Sequence, residues 1–279
     1  MRKRRSLLGG LFKFIFGLLL LLVVIVGTIC GILYAKFKIN VFDVMGQLKI
    51  LSQQPQVEKI ITNPYDENDK DAVISIKNST ELLTVQVEFT DKQLAAYISD
   101  YIKENPDIIK VELSNNTTIN LADYGFEVLQ VKFSNIDENG NTDFNVVVKL
   151  ELAKLKDLMN KNGIPLKWFT RKVPDQLYIS STVRVNKGTN AFEYTTEGLG
   201  LTINNLSDKD TESIFKTVNN FVKLGTAKEF SKIICDIFVD SLIGNNTNDG
   251  LAYSLKGIGA KDYTFLTRDD NNYFAIKIA

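Results

Sequence analysis

Apolar positions along this chain fall into two regimes. Residues 14–34 read FIFGLLLLLVVIVGTICGILY, apolar on every side and free of charge. As a helix rising ~1.5 Å per residue, the run covers about 30 Å, the thickness of a bilayer's hydrocarbon core. Nothing in lipid satisfies an exposed backbone, so such a segment must be helical there. A cleaved signal peptide has an apolar region of about 7–15 residues followed by a small-x-small site. This run is longer, offers only poor sites near its end, and carries Ile29 ahead of Cys30 where a lipoprotein signal has a small residue. It is therefore read as an uncleaved signal-anchor.

Beyond it the apolar positions become periodic. Val41, Phe42, Val44, Met45, Leu48 and Leu51 predict a juxtamembrane helical segment over 41–61, interrupted near Gln54-Pro55. Pro64 and the stretch DENDKD at 66–71 predict a solvated acidic loop. Leu83, Val85, Val87 and Phe89 alternate with polar neighbours, as in a one-sided strand. Thr90 and Gln93 then have capping-box spacing, opening a helix with Leu94, Ile98, Tyr101 and Ile102 on one face that ends before Asn105-Pro106. Residues 124–136 and 143–152 predict a hairpin through Glu138-Asn139-Gly140-Asn141, where Asn-Gly suits a type I′ turn. Alternation returns at Leu177, Ile179, Ser181, Val183 and Val185, with a turn at Asn186-Lys187-Gly188 and separate strands at 192–196 and 199–203.

Two helices follow. Ser207 caps one bearing Ile214, Phe215, Val218, Phe221 and Val222, stopped by Gly225. Thr226 and Glu229 open the second, with Phe230, Ile233, Ile234, Ile237 and Leu242, closed by Gly244. Residues 262–267 and 273–278 form a last hairpin around 268–272. This order lacks the regular strand-helix alternation of a parallel sheet. It predicts an α+β fold, with a largely antiparallel sheet and packed amphipathic helices behind an N-terminal transmembrane helix. The expected organisation is a cytoplasmic basic N-terminus at 1–13, the membrane helix at 14–34, a juxtamembrane helical segment and acidic loop at 35–72, and an α+β extracytoplasmic domain at 73–279. There is no internal repeat and no Gly-, Pro- or Ser-rich linker.

Charge sets the orientation. Lys+Arg and Asp+Glu are both 33 in 279 residues, yet residues 1–38 hold Arg2, Lys3, Arg4, Arg5, Lys13, Lys36 and Lys38 and no acid. The remainder then has 26 basic and 33 acidic residues, a net of −7. The positive-inside bias puts the N-terminus in the cytoplasm and 39–279 outside the cell membrane. An acidic domain is not a nucleic-acid binder, whose affinity comes from neutralising phosphates. Gly27 and Gly31 form a small-xxx-small pair on which two membrane helices could meet, giving a homodimer. Cys30 and Cys235 lie in different compartments and cannot bond, so the outer domain needs its own apolar core. That economy of cysteine, with abundant Asn, Lys and Ile, fits a Gram-positive bacterial source, and makes the sequons at Asn78, Asn116 and Asn245 accidental.

Candidate chemistry is sparse. The chain has no His, which excludes Ser-His-Asp and Cys-His catalysis and every His-ligated metal or haem. Gly198-Leu199-Gly200 lies between strands and opens no helix, so it is no phosphate loop. Ser213 and Lys216 match the Ser-x-x-Lys of penicillin-binding enzymes, but Ser114-Asn115-Asn116 precedes them and no Lys-Thr-Gly follows, so the match is read as accidental. Asp137, Asn139, Asn141 and Asp143 suggest a calcium loop only until Gly140, which sits two positions too early. DENDKD lacks the glycine and closing Glu of such a loop, and the Asp269-Asp270 and Glu67/Asp69 pairs sit in polar turns that would not raise a pKa. Cys235 is read as a buried inert thiol. No catalytic, cofactor-binding or metal-binding residue is assigned.

VEFTDKQLAAYISDYI at 87–102, a following hairpin, and IPLKWFTRKVPDQLYISSTVRV at 164–185 resemble the YpmS-type family. The resemblance covers about 90–206 and rests on the strand-Thr-helix junction, the Ile164-Pro165-Leu166 entry, and Pro174, Tyr178, Val183 and Val185. It implies a single-pass extracytoplasmic protein of a Gram-positive bacterium, in a family with no established activity and no catalytic residues to carry over. The leading functional expectation is a membrane-anchored, non-enzymatic scaffold or interaction protein of the cell envelope. The alternative is binding of a lipid or other amphiphile in an apolar cavity between curved sheet and helices, lined by Ile214, Val218, Phe221, Phe230, Ile234 and Ile237. A Ser/Lys hydrolase is the remote third.

Overall fold

Alternating strands bury one face each, and here two antiparallel sheets do so against the same core. The computed structural model describes residues 55–80, 84–112, 118–153, 174–204, 206–218, 225–244 and 250–278, with 46, 49, 51 and 52 upstream. The expected membrane segment at 14–34, including Gly27 and Gly31, lies outside the described residues, as do 41–45, Leu83, Phe221, Val222 and the 164–173 stretch. Among the described residues, no helix is long and apolar enough to cross a membrane.

The larger sheet has four strands in the order β4 (Glu127–Ser134), β5 (Thr142–Glu151), β6 (Gln176–Lys187), β7 (Tyr194–Ile203). Its inner face carries Val131, Phe133, Phe144, Val146, Val148, Ile179, Val183 and Val185, all buried. Its outer face carries Lys132, Asn145, Ser180, Thr182 and Arg184. The side-chain period of two sorts them, because opposite residues such as Val146 and Ser181 point the same way. The smaller sheet sets β1 (Gln86–Thr90) at one edge, β9 (Asn271–Lys277) in the centre and β8 (Asp262–Arg268) at the other edge. An aromatic seam joins the two sheets. The Phe133 and Phe265 rings lie 5.0 Å apart and Phe265 and Phe274 5.3 Å, within the spacing that aromatic pairs prefer. A short ladder, β2 (Lys110–Glu112) with β3 (Thr118–Asn120), stands apart.

Helices cover the core where the sequence places their caps. The Thr90 hydroxyl accepts from Gln93 N–H at 3.3 Å and the Gln93 side chain from Thr90 N–H at 2.9 Å, opening Asp91–Glu104. Ser207 accepts from Asp210 N–H at 3.2 Å ahead of Asp208–Val218. Thr226 and Glu229 exchange the same pair of bonds before Ala227–Ile243, which Gly244 ends at φ +94°. Together with two short helices near the start, Val57–Ile60 and Asp71–Lys77, and Leu251–Ser254 near the end, these are α1 (57–60), α2 (71–77), α3 (91–104), α4 (208–218), α5 (227–243) and α6 (251–254).

Several local expectations are corrected. The acidic stretch at 66–71 is helical, a 3-10 turn over Glu67–Lys70 running into α2. The Asp69 carboxylate accepts from Asp66 N–H at 2.8 Å, so these acids serve a helix start, where negative charge is favourable. Val85 lies before β1 and is 70% exposed, since the strand begins at Gln86. The Asn-Gly hairpin is not type I′. Gly140 N–H donates to the Asp137 carbonyl at 3.0 Å and Gly140 takes φ +77°, a type I turn closed by a left-handed glycine. The two-residue type I′ turn is at Asp269-Asp270, with φ +51° and +60°, which shortens the expected 268–272 loop. Residues 194–203 form one strand where two were expected. Thr182 faces Gly200 and Val183 faces Gly198, so Leu199 is the extra residue of a β-bulge, and the two glycines had weakened the strand pattern.

Candidate functional site

The helix pair α4–α5 carries most of the residues expected to line an apolar cavity. Ile214 and Phe230 are 0% exposed and Ile234 is 2% exposed, all in the main core cluster. Phe215 and Phe230 pack ring to ring at 5.5 Å. A side chain with no surface left for a water-sized sphere borders no void, internal or external. Ile237 is half-buried on α5, Val218 is the last residue of α4, and Phe221 lies outside the described residues. The structure thus brings Ile214, Phe230 and Ile234 together as packed core.

The polar constellation at the join of α5 and β7 was missed by sequence reading. Tyr194 and Thr196 point from β7 toward the helix, and Lys232, Asp236 and Asp240 recur one turn apart on α5. The Tyr194 hydroxyl donates to Asp240 and the Thr196 hydroxyl to Asp236. Lys232 donates to Thr196 Oγ1 and to Asp236, the latter at 2.8 Å. Burial, followed by the hydrogen bond to Asp240, pushes the Tyr194 phenol far above its ordinary value. A Lys beside a Thr hydroxyl has the look of a base beside a nucleophile. Here Lys232 donates to both neighbours, and the Thr196 hydroxyl donates to the Asp236 carboxylate. These groups fasten helix to strand. The i, i+4 spacing on α5 was the only available signal, and without knowing that β7 runs beneath it the row reads as a solvated face.

Gly198 permits the approach. A Cβ there would fall 1.9 Å from the Lys228 carbonyl, so only glycine lets the first turn of α5 sit on the strand. Beside it the bulge leaves the Thr182 peptide groups to α5: Thr182 N–H donates to Ser231 Oγ at 3.0 Å, and Ser231 donates to the Thr182 carbonyl at 2.7 Å.

On the outer face of the same sheet, residues 55–65 lie as a strap. Ile60 packs with Val147 and Tyr178, flanked by Val57, Ile61 and Leu129, a cluster separate from the main core. A bulge at Leu129 puts Gln130 on this face opposite Val147. Its Oε1 accepts from the N–H groups of Thr62 and Asn63, both at 2.8 Å. The Tyr65 hydroxyl donates to the Val128 carbonyl at 2.8 Å, and Lys70 meets Asp100 at 2.6 Å.

The remaining sequence candidates are placed as follows. Ser213 is half-buried and Lys216 exposed on α4. Cys235 is fully buried on α5, its thiol pushed well up by burial and then by Asp236. Arg184 occupies the ground between Asp137 and Asp143, at 2.6 and 3.0 Å, while the Asp137 carboxylate also accepts from Asn139 and Asn141 N–H. Among the described residues no group of His, Cys, Asp or Glu is arranged to hold a metal ion. Compared with family models, curated proteins and solved structures, the chain matches none.

Proposed function

We propose that this is a membrane-anchored, non-enzymatic extracytoplasmic protein of a Gram-positive cell envelope, whose outer domain serves as a rigid scaffold or interaction module. The observation that carries it is the filling of the α4–α5 apolar face: Ile214, Phe215, Phe230 and Ile234 are spent on the core. An amphiphile carrier needs a concave apolar pocket, and these residues border none. In the α5–β7 row the Tyr194 and Thr196 hydroxyls are engaged with Asp240 and Asp236, and the groups join strand to helix. The 14–34 run and the basic residues before it support the anchor and its orientation. The resemblance of 90–206 to the YpmS-type family supports the same placement. The Gly27/Gly31 pair supports pairing of two such anchors.

The test is photo-crosslinking of the full chain in growing cells, from a reactive residue at the exposed outer-face positions Thr195 and Glu197. One discrete protein adduct, absent when the probe sits at buried Phe144, is expected. Adducts of lipid alone, or none from any exposed position, would overturn the scaffold reading.

A further inference from the structure

The strap and α5 lie on opposite faces of the four-stranded sheet, yet one chain of hydrogen bonds runs between them. It starts at Gln130, which is 2% exposed and whose Oε1 holds the strap's Thr62 and Asn63 N–H groups. Gln130 Nε2 donates to Asn145 Oδ1 at 3.1 Å. Asn145 Nδ2 in turn meets Ser180 Oγ at 2.9 Å, Thr182 Oγ1 at 3.0 Å and the Ser181 carbonyl at 3.2 Å. That carbonyl belongs to the same peptide group as Thr182 N–H, which donates to Ser231 of α5 on the far face. Ser231 closes the chain on the Thr182 carbonyl. A single planar peptide, Ser181–Thr182, is therefore gripped from the outer face by Asn145 and from the inner face by Ser231. Two β-bulges create the two ends: the one at Leu129 turns Gln130 outward, and the one at Leu199 frees Thr182 for the helix.

We infer that the seating of the strap and the seating of α5 are coupled through this peptide. Hydrogen bonds in series polarise one another, so weakening the first weakens the last. The peptide is planar, so a change in its tilt caused by losing Asn145's grip moves the Thr182 N–H that Ser231 accepts. Whatever displaces the strap then loosens α5 on the opposite face, and whatever clamps α5 tightens the strap, as linkage requires. The coupling stands on the described fold and does not depend on the membrane or scaffold assignment.

Cys235, buried one turn beyond Ser231, reports on α5. The test uses the full chain with Cys30→Ser, measuring the rate at which a thiol reagent modifies Cys235 under native conditions. Gln130→Leu cuts the relay at its first link and is expected to speed modification about tenfold, at the low end of typical coupling. Asn145→Leu cuts the next link without touching the neighbours of Cys235 and is expected to give a similar rise, with the double variant no more than the larger single one. Val87→Ala, in the smaller sheet, is the control for general destabilisation, since Val87 is core and takes no part in the relay. Gln130→Glu keeps an acceptor for the strap but loses the donor to Asn145, and keeps the experiment decisive if Gln130→Leu does not fold. It should speed Cys235 modification while hydrogen exchange at 62–63 stays slow. A rise no greater than that of Val87→Ala, or effects of Gln130→Leu and Asn145→Leu that multiply independently, would overturn the coupling.

Discussion

The two faces of the four-stranded sheet are built from the same strands and solve opposite problems. On the inner face the alternate positions of β5 and β6 are Phe144, Val146, Val148, Ile179 and Val183, which meet α4, α5 and the smaller sheet in one continuous core. On the outer face the intervening positions are Asn145, Ser180, Thr182 and Arg184, with one apolar seat at Leu129, Val147 and Tyr178 that the strap covers. Inside, stability comes from area removed from water, and Ser231, Thr196 and Tyr194 fasten α5 to the sheet. Outside, it comes from a few directed bonds and one small satellite cluster. The lesson is that burial alone marks neither face as functional. Of the residues expected to form a cavity wall, Ile214, Phe230 and Ile234 are packed in the core, while the polar face holds the strap on a small cluster of its own.

The largest effect should follow removal of an inner-face anchor. Phe230→Ala leaves a void in packed core and is expected to cost about 3–5 kcal/mol, read by urea unfolding of the outer domain. A loss below about 1 kcal/mol would mean that Phe230 already bordered space. Gly198→Ala comes next, at up to about 3 kcal/mol, because the added methyl meets the Lys228 carbonyl and α5 must move. Faster modification of Cys235 in that variant would place the damage at α5. On the outer face, Ile60→Ala should cost only about 2 kcal/mol, the low end for such a truncation, since its cluster is small and beside solvent. Equal costs for Ile60 and Phe230 would erase the contrast between the faces.

How much of this was legible follows from how local each signal is. The boxes at Thr90/Gln93 and Thr226/Glu229 and the stop at Gly244 involve residues within one turn, and each stands as the spacing implied. So does the alternation of β6, because that strand carries its own sorting. What could not be read depends on partners far along the chain. Val87 pairs with Ile276 and Gln130 holds Thr62 and Asn63, and no local pattern announces either contact. The glycines of β7 read as a break because their reason, the close approach of Lys228, lies in another element. At the α5–β7 join, nothing local to Asp236 and Asp240 announces that Thr196 and Tyr194 of another element meet them. The segments at 14–34 and 164–173, with Phe221, lie outside the described residues, so those expectations stand as proposals.

The smallest effect should be a pH dependence at the outer-face turn. The Asn141 side chain, then backbone N–H groups of Asn141 and Asn139 and the charge of Arg184, hold the Asp137 carboxyl below its ordinary value. A depressed folded pKa stabilises the fold above the unfolded value of about 3.9 and loses that contribution as pH falls toward the folded one. Wild type and Asp137→Asn should therefore differ in urea midpoint at pH 6 and converge below about pH 3.9. A constant difference down to the lowest pH would show that shape, not charge, holds the turn.

The most direct test of the central claim, that the α4–α5 apolar face is filled core, is native mass spectrometry. Residues 40–279 would be purified without detergent from a bacterial membrane extract, beside a known lipid carrier treated identically. The bare polypeptide mass is expected where the carrier keeps its lipid. A reproducible extra mass of lipid size, lost in an Ile234→Asp variant that remains folded, would contradict it.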